Sequence, residues 1–168
     1  MKISVAALYN SEVQALQIDE HVRLTGELGA RYPRGARVTA AIRRIAHGVY
    51  VDGFVEAQAA EICMRCLEPF TRSARVRMQE PFSEDVRVED ALFADASPLV
   101  GRTLDLEDFV SQLLELDEPL APVCKDDCQG ICQTCGVNRN ITKCTCAEQI
   151  ADQRWAGLAR FIEERGQG

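Results

Sequence analysis

Eight cysteines carry the clearest chemistry in this sequence, and they fall in four close pairs: Cys63-x2-Cys66, Cys124-x3-Cys128, Cys132-x2-Cys135 and Cys144-x-Cys146. A Cys-x2-Cys turn can bring two thiolates to one ion while neighbouring backbone N–H groups hydrogen-bond to the sulfurs. Zinc takes four such thiolates as a tetrahedron, with Zn–S bonds of ~2.3 Å. Gly136 directly follows Cys135 and fits the tight reversal of a zinc knuckle, because glycine accepts positive φ. The segment 124–146 is turn-rich and poor in apolar residues, too poor to fold by burial alone. Metal binding can contribute roughly 10 kcal/mol, enough to organise it.

Eight ligands could fill two four-sulfur sites. The preferred partition places Cys132, Cys135, Cys144 and Cys146 on one zinc. Cys63, Cys66, Cys124 and Cys128 hold the other and pin the tail to the body of the protein. The competing arrangement is one zinc within the tail, with Cys63 and Cys66 reduced or weakly bound. All-cysteine ligation also suits iron–sulfur centres, but the tail does not follow ferredoxin spacings. A thioredoxin-like motif opens a helix after a strand, whereas Cys63-Met64-Arg65-Cys66 lies between two β-like stretches.

The residues offer no catalytic set. Of the two histidines, His21 is expected to open a strand and His47 to precede a glycine turn, both at the surface. There is no Gly-rich phosphate loop, no G-x-S-x-G and no H-E-x-x-H. A catalytic zinc keeps an open position beside three protein ligands, often histidines. Cysteine-only ligation suits closed structural sites, so the expectation is a protein that is not an enzyme and takes no small-molecule substrate.

The elements that must position these cysteines can be read from periodicity. Residues 1–9, 22–28, 37–45, 48–57 and 71–78 carry alternating or β-rich patterns broken by glycine turns. Ser83 to Pro98 is an acidic stretch that reads as an exposed connector. The period then changes. Apolar residues at 106, 109, 110, 113 and 114 predict a helix capped by Asp105 and ended by Pro119. A second helical stripe of Ile150, Trp155, Leu158, Ala159 and Ile162, with Asp152 as cap, places Trp155 under the cysteine-rich segment. Residues 163–168 are expected to fray. The expected fold is α+β: an antiparallel sheet, curled or barrel-like, with one or two packed helices, then a cysteine-rich zinc knuckle and a terminal helix. Two units follow, a β-rich domain with connector and helix over 1–120, and a zinc-knuckle tail with its helix over 121–168.

The chain has 168 residues, 46% hydrophobic but only 6% aromatic, so Val, Leu, Ile and Ala must build most of the core. Its formal net charge of −7 argues against a simple nucleic-acid coat. Charge is nevertheless segregated: Arg31, Arg34, Arg37, Arg43 and Arg44 form one basic group and Arg72, Arg75 and Arg77 a second, while the acids gather at 80–95 and 107–118. Residues 1–10 lack a basic segment followed by a long apolar one, and no run reaches the ~18 apolar residues of a membrane span. The expectation is a chain in the reducing cytoplasm, away from membranes, where paired cysteines bind metal rather than form disulfides.

Several stretches resemble the YceD family of bacterial proteins. GVYVDGFVEAQAAEICMRCLEPF is similar to the family's strand, Gly turn, strand and C-x-R-C-L signature. The acidic connector and the Leu104-Asp105-Leu106 helix entry follow in the family's order. PVCKDDCQGICQTCGVNRNITKCTC resembles its P-L-C-x3-C-x-G-L-C-x2-C-G-x-N-x-N run with a late C-x-C, and Asp152-Gln153-Arg154-Trp155-Ala156-Gly157-Leu158 its D-x-R-W-x-x-L ending. Family members with fewer cysteines exist, so the tail site belongs to one branch.

The resemblance implies an accessory role in the accumulation or processing of large-subunit (23S) ribosomal RNA or in 50S assembly. It also implies a small large-subunit ribosomal protein as a partner. Phosphate contacts need local cations, so RNA contact is expected at Arg31, Arg34, Arg37, Arg43 and Arg44 and at the zinc knuckle. The bland alternative for these arginines is an ordinary solvated strand surface. Alternative functions are an adaptor whose acidic face grips a basic ribosomal protein and a zinc or redox enzyme. The metal arrangements separate on zinc content: two zinc per chain, falling when Cys63 and Cys66 are changed to Ser, is the expected result, and one per chain in the wild type would sink the two-site arrangement.

Overall fold

Alternation of apolar and polar residues from Ala36 to Ser83 builds the largest element, a pair of long hairpins. The structure, a computed structural model, describes residues 2–10, 13–84 and 96–146. In chain order the strands are β1 (Lys2–Ser4), β2 (Ala15–Val22), β3 (Ala36–Ile45), β4 (Gly48–Ile62), β5 (Pro69–Ser83), β6 (Ser97–Pro98) and β7 (Thr103–Asp105). The helices are α1 (Gly26–Arg31) and α2 (Leu106–Leu116), and a short 3-10 turn covers Ala6–Tyr9. Five strands form one sheet in the order β2-β3-β4-β5-β6, antiparallel except for the β5–β6 pair; β1 and β7 form a separate antiparallel pair. The protein is thus α+β. Among the described residues the sheet is open, with β2 and β6 at its edges, so it does not close into a barrel.

The long β4–β5 hairpin governs the layout. Its register runs without interruption from Gly48 opposite Ser83 to Ile62 opposite Pro69. One face of the sheet buries Val38, Ala40, Ile42, Val49, Val51, Val55, Ala57, Ala59, Ala74, Met78 and Phe82. Gly53 lies in this inward row, opposite Ala40 and Met78. A Cβ there would stand 2.2 Å from the Thr39 carbonyl oxygen, so glycine allows β3 to approach.

Helix α2 covers this inner face. Asp105 caps it by accepting a hydrogen bond from the Glu107 N–H at 3.2 Å, and Leu106, Phe109, Val110 and Leu114 are buried. Phe109 meets Phe82 edge-on, with ring centroids 5.2 Å apart. The helical stripe and its cap thus agree with the sequence expectation.

Four expectations need correction. Residues 1–9 are not one strand: β1 ends at Ser4, and Val5 and Leu8, three apart, turn inward around the 3-10 turn. Residues 22–28 are not a strand either. The strand precedes them as β2, and α1 begins at Gly26, whose φ of +63° redirects the chain. His21 therefore stands near the end of β2 rather than at the start of a strand. Strands β4 and β5 run further than their patterns suggested, because each continues to the cysteine turn between them. The middle of the acidic connector (85–95) and the expected C-terminal helix with Trp155 lie outside the described residues.

Leu114 is fully buried between α2 and the sheet. Leu114→Ala is expected to lower unfolding free energy by about 2–5 kcal/mol, read as an earlier urea midpoint; an unchanged midpoint would contradict the packing of α2 described above.

Candidate metal centres

The hairpin β4–β5 ends in a six-residue connection, Cys63 to Glu68, and this connection is the first knuckle. The Leu67 N–H donates to the Cys63 carbonyl at 2.9 Å, and Leu67 takes φ of +61°. The second knuckle repeats this turn. The Gly136 N–H donates to the Cys132 carbonyl at 2.8 Å, with φ of +72° at Gly136. Glycine holds that conformation freely, while a leucine there costs roughly 1–2 kcal/mol.

Cys124 and Cys128 come from the segment after α2, which is stitched to the first knuckle. The Met64 N–H donates to the Pro122 carbonyl and the Ile131 N–H to the Arg65 carbonyl, both at 2.9 Å. The Arg65 guanidinium returns a bond to the Asp126 carbonyl at 2.9 Å. Asn140 donates to the Cys128 sulfur at 3.3 Å and accepts from the Gln129 N–H at 2.9 Å. Further back, Arg72 bridges Glu61 and Asp117, each at 2.9 Å. It thereby ties the strand entering the knuckle to the end of α2, from which the tail departs.

The outcome is two cysteine tetrads, Cys63/Cys66/Cys124/Cys128 and Cys132/Cys135/Cys144/Cys146. Within each, all four sulfurs lie within 4.8 Å of one another. A tetrahedral ion with ~2.3 Å metal–sulfur bonds requires sulfur–sulfur edges of ~3.8 Å. The Cys63–Cys128 and Cys66–Cys124 sulfurs stand 3.8 and 3.7 Å apart. Both are far beyond a disulfide bond of ~2.05 Å. The donors therefore fit a metal ion in geometry and in chemistry, and each tetrad can hold one.

The tetrads differ in environment. Cys63, Cys66 and Cys128 are buried and pack with Phe70 and Val123. In the second, Cys132 is buried, Cys144 and Cys146 are half-buried and Cys135 is exposed. Proton affinity is split within each tetrad. Burial raises the Cys63 thiol, but backbone N–H groups of Cys124, Cys66 and Arg65 outweigh it and hold it at about 6. Burial and then the neighbouring Cys128, Cys63 and Cys66 push Cys124 up to about 12. Backbone N–H groups of Cys135 and Thr134 lower Cys132 to about 6, while Cys135 and burial push Cys146 up to about 12. Four thiolates this close repel one another, so some keep their protons until a cation compensates.

The structure separates the arginines singled out in the sequence. Arg37 and Arg43 fall on the outer face of the sheet, opposite the core: Arg37 forms a two-pronged bond to Asp19 at 2.6 and 2.8 Å, and Arg43 lies 3.9 Å from Asp52. Arg34 donates to the Gln58 side chain at 3.1 Å, near the same face. Arg44 turns to the other side, 4.7 Å from the Tyr9 ring centroid, and Arg31 pairs with Glu118. The cross-strand register also brings Arg75 opposite Glu56, itself opposite Arg37, so Arg75 and Arg77 of the second group join Arg37 and Arg43 on the outer face, while Arg72 falls in the inward row opposite Ala59. Alternation showed that Arg75 and Arg77 share a side; only the register shows which strands flank them. His21 and His47 are exposed.

The described residues define a class: an open, mostly antiparallel sheet backed by a helix, with a tail docked on its longest hairpin where one cysteine tetrad spans the two and a second lies within the tail. A family model described as Large ribosomal RNA subunit accumulation protein YceD matches residues 51–162, more than half of the chain, and the chain belongs to the YceD family. An uncharacterized protein of Mycobacterium tuberculosis is 33% identical over 123 residues, covering 72% of this chain and 59% of the relative. One from Mycobacterium leprae is 28% identical over 127 residues, covering 72% of this chain and 56% of that protein. A maize protein named Large ribosomal RNA subunit accumulation protein YCED homolog 1, chloroplastic, is 27% identical over 126 residues, covering 57% of this chain and 43% of its own length. This chain thus spans less than two thirds of the length of these relatives. No solved structure matches it. No helix among the described residues is long and apolar enough to cross a membrane.

Because Cys124 and Cys146 hold their protons to about 12, binding a divalent cation near neutral pH must release protons. Calorimetric heats of zinc binding are expected to differ between buffers of different ionisation enthalpy. Affinity should weaken as the pH falls towards about 6, where Cys63 and Cys132 also take up protons. Buffer-independent heats would contradict this.

Proposed function

We propose that this chain is a non-enzymatic accessory factor in the accumulation or processing of large-subunit ribosomal RNA, or in 50S assembly, stabilised by two structural zinc ions. The observation that carries this reading is the family match over residues 51–162, which includes all eight cysteines. Zinc is the fitting ion because each tetrad offers four thiols at single-ion spacing. A multinuclear iron–sulfur cluster would set its ligand sulfurs further apart. Four protein donors also leave no open coordination position for substrate, which supports a structural role and argues against a zinc enzyme.

In this reading Cys63, Cys66, Cys124 and Cys128 ligate one ion and Cys132, Cys135, Cys144 and Cys146 the other. The boundary between body and tail falls at 120/121, and the chain works in a reducing cytoplasm, where its thiols persist. The partner is 23S RNA or its precursor, contacted through the basic group Arg31, Arg34, Arg37, Arg43 and Arg44, with a small large-subunit ribosomal protein as a second partner. Local cations supply phosphate contacts even on a chain of net charge −7.

Crosslinking in cells followed by sequencing of the bound RNA tests the reading. Enrichment of large-subunit ribosomal RNA or its precursor is expected, reduced when Arg34 and Arg43 are changed to Glu. No enrichment over background would remove the RNA partner.

A further inference from the structure

The outer face of the sheet, opposite α2, carries an arrangement that the basic stretch alone does not describe. Phe54 projects from the middle of β4 and is 36% exposed. Its neighbours across the ladder are Thr39 on β3 and Arg77 on β5. The Arg75 guanidinium lies over the Phe54 ring, 4.4 Å from its centroid, and that of Arg77 lies over it at 6.0 Å, so the ring and the Arg75 guanidinium form a stacked cation–π pair. Beside them is a depression of about 450 Å³ with His21, Arg34, Arg37, Glu56 and Arg75 in its lining, so Arg75 belongs to both features.

Charge on this face runs against the whole chain. Arg34, Arg37, Arg43, Arg75 and Arg77 supply five guanidinium groups. The carboxylates that meet them among the described residues are Asp19, Asp52 and Glu56, with Arg75–Glu56 at 3.3 Å and Arg77–Asp52 at 3.6 Å. Five against three leaves an excess of two positive charges, on a chain whose net charge is −7. These side chains are solvent-exposed, and exposed ion pairs are weak enough to exchange for a phosphate. An aromatic ring with a guanidinium group laid over it is a stacking platform for an unpaired base, because bases stack on aromatic rings and on arginine planes alike, and a neighbouring cationic depression follows the phosphate backbone. Duplex RNA buries its base faces within the stack, so a ring of this kind selects single strands.

We propose that this outer face binds single-stranded RNA, with a base stacking on the Phe54–Arg75 pair, Arg77 beside it, and the Arg34–Arg37 depression holding the backbone. The inference rests on the RNA reading above and narrows it to one side of the sheet, with Arg31 and Arg44 outside the surface.

The test titrates the zinc-loaded full chain into a fluorescent single-stranded RNA of about ten nucleotides, and into a duplex of equal length, at several salt concentrations. Single strands are expected to bind more tightly. Phe54→Ala should weaken binding about tenfold without changing the salt dependence, and Phe54→Tyr should restore it. Arg75→Glu should weaken binding and flatten the salt dependence. Circular dichroism and zinc content identify folded variants, and Arg77→Gln gives an independent reading if Phe54→Ala misfolds. RNA binding that is unchanged in the folded variants would overturn this surface and leave the RNA reading standing. No RNA binding by the wild type would overturn both. Capture of a basic ribosomal protein that is lost in Phe54→Ala, without oligonucleotide binding, would assign the face to a protein partner instead.

Discussion

Four sulfurs from opposite parts of the chain must converge, and the rest of the structure serves that convergence. Cys63 and Cys66 lie more than fifty residues before Cys124 and Cys128, yet all four sulfurs stand within 4.8 Å of one another. Closing a loop of that length costs conformational entropy. The cost is spread over ordinary elements. The β4–β5 hairpin holds the first knuckle at the end of a fifteen-residue ladder. Helix α2 crosses the inner face and delivers the tail, and the Arg72 bridge fixes Glu61 and Asp117 at the two approaches. The tail then docks backbone to backbone on the knuckle, so the sulfurs meet in an arrangement whose edges already suit a tetrahedral ion.

The two knuckles show how one local motif serves two environments. Both close with the same turn bond and the same positive φ after the second cysteine. The first uses Leu67 there and is backed by Phe70 and Val123; the second uses Gly136 and leaves Cys135 in solvent. The buried tetrad therefore lies where tail meets sheet, while the outer tetrad lies within a segment that has little apolar material of its own. Backbone N–H donors lower one thiol in each tetrad and crowding raises another. Each tetrad thus pairs a readily ionised thiol with one that holds its proton.

The sheet divides labour between its faces. Its inner side is mostly aliphatic and covered by α2, with an edge-on Phe82–Phe109 contact between sheet and helix. Its outer side, free of that packing duty, can carry arginines, carboxylates and Phe54. A chain with few aromatics places one of them, Phe54, at the centre of an outward-facing strand row, 36% exposed and beneath the Arg75 guanidinium.

Sequence by itself determined the cysteine pairs, the α2 stripe with its Asp105 cap, and the family resemblance. These are local facts, because ligand spacing, capping and helical periodicity act within a few residues of one another. The meeting of Cys63 and Cys66 with Cys124 and Cys128 was decided between two readings only by the tertiary structure. It misjudged the first nine residues and 22–28, where short apolar runs fit a strand, a 3-10 turn or a helix equally well and tertiary packing chose among them. It also treated Arg31 to Arg44 as one basic group. Only the tertiary structure decided that Arg44 and Arg31 leave that group and that Arg75 and Arg77 join it, because cross-strand register is a long-range property and a one-residue shift sends a side chain to the opposite face.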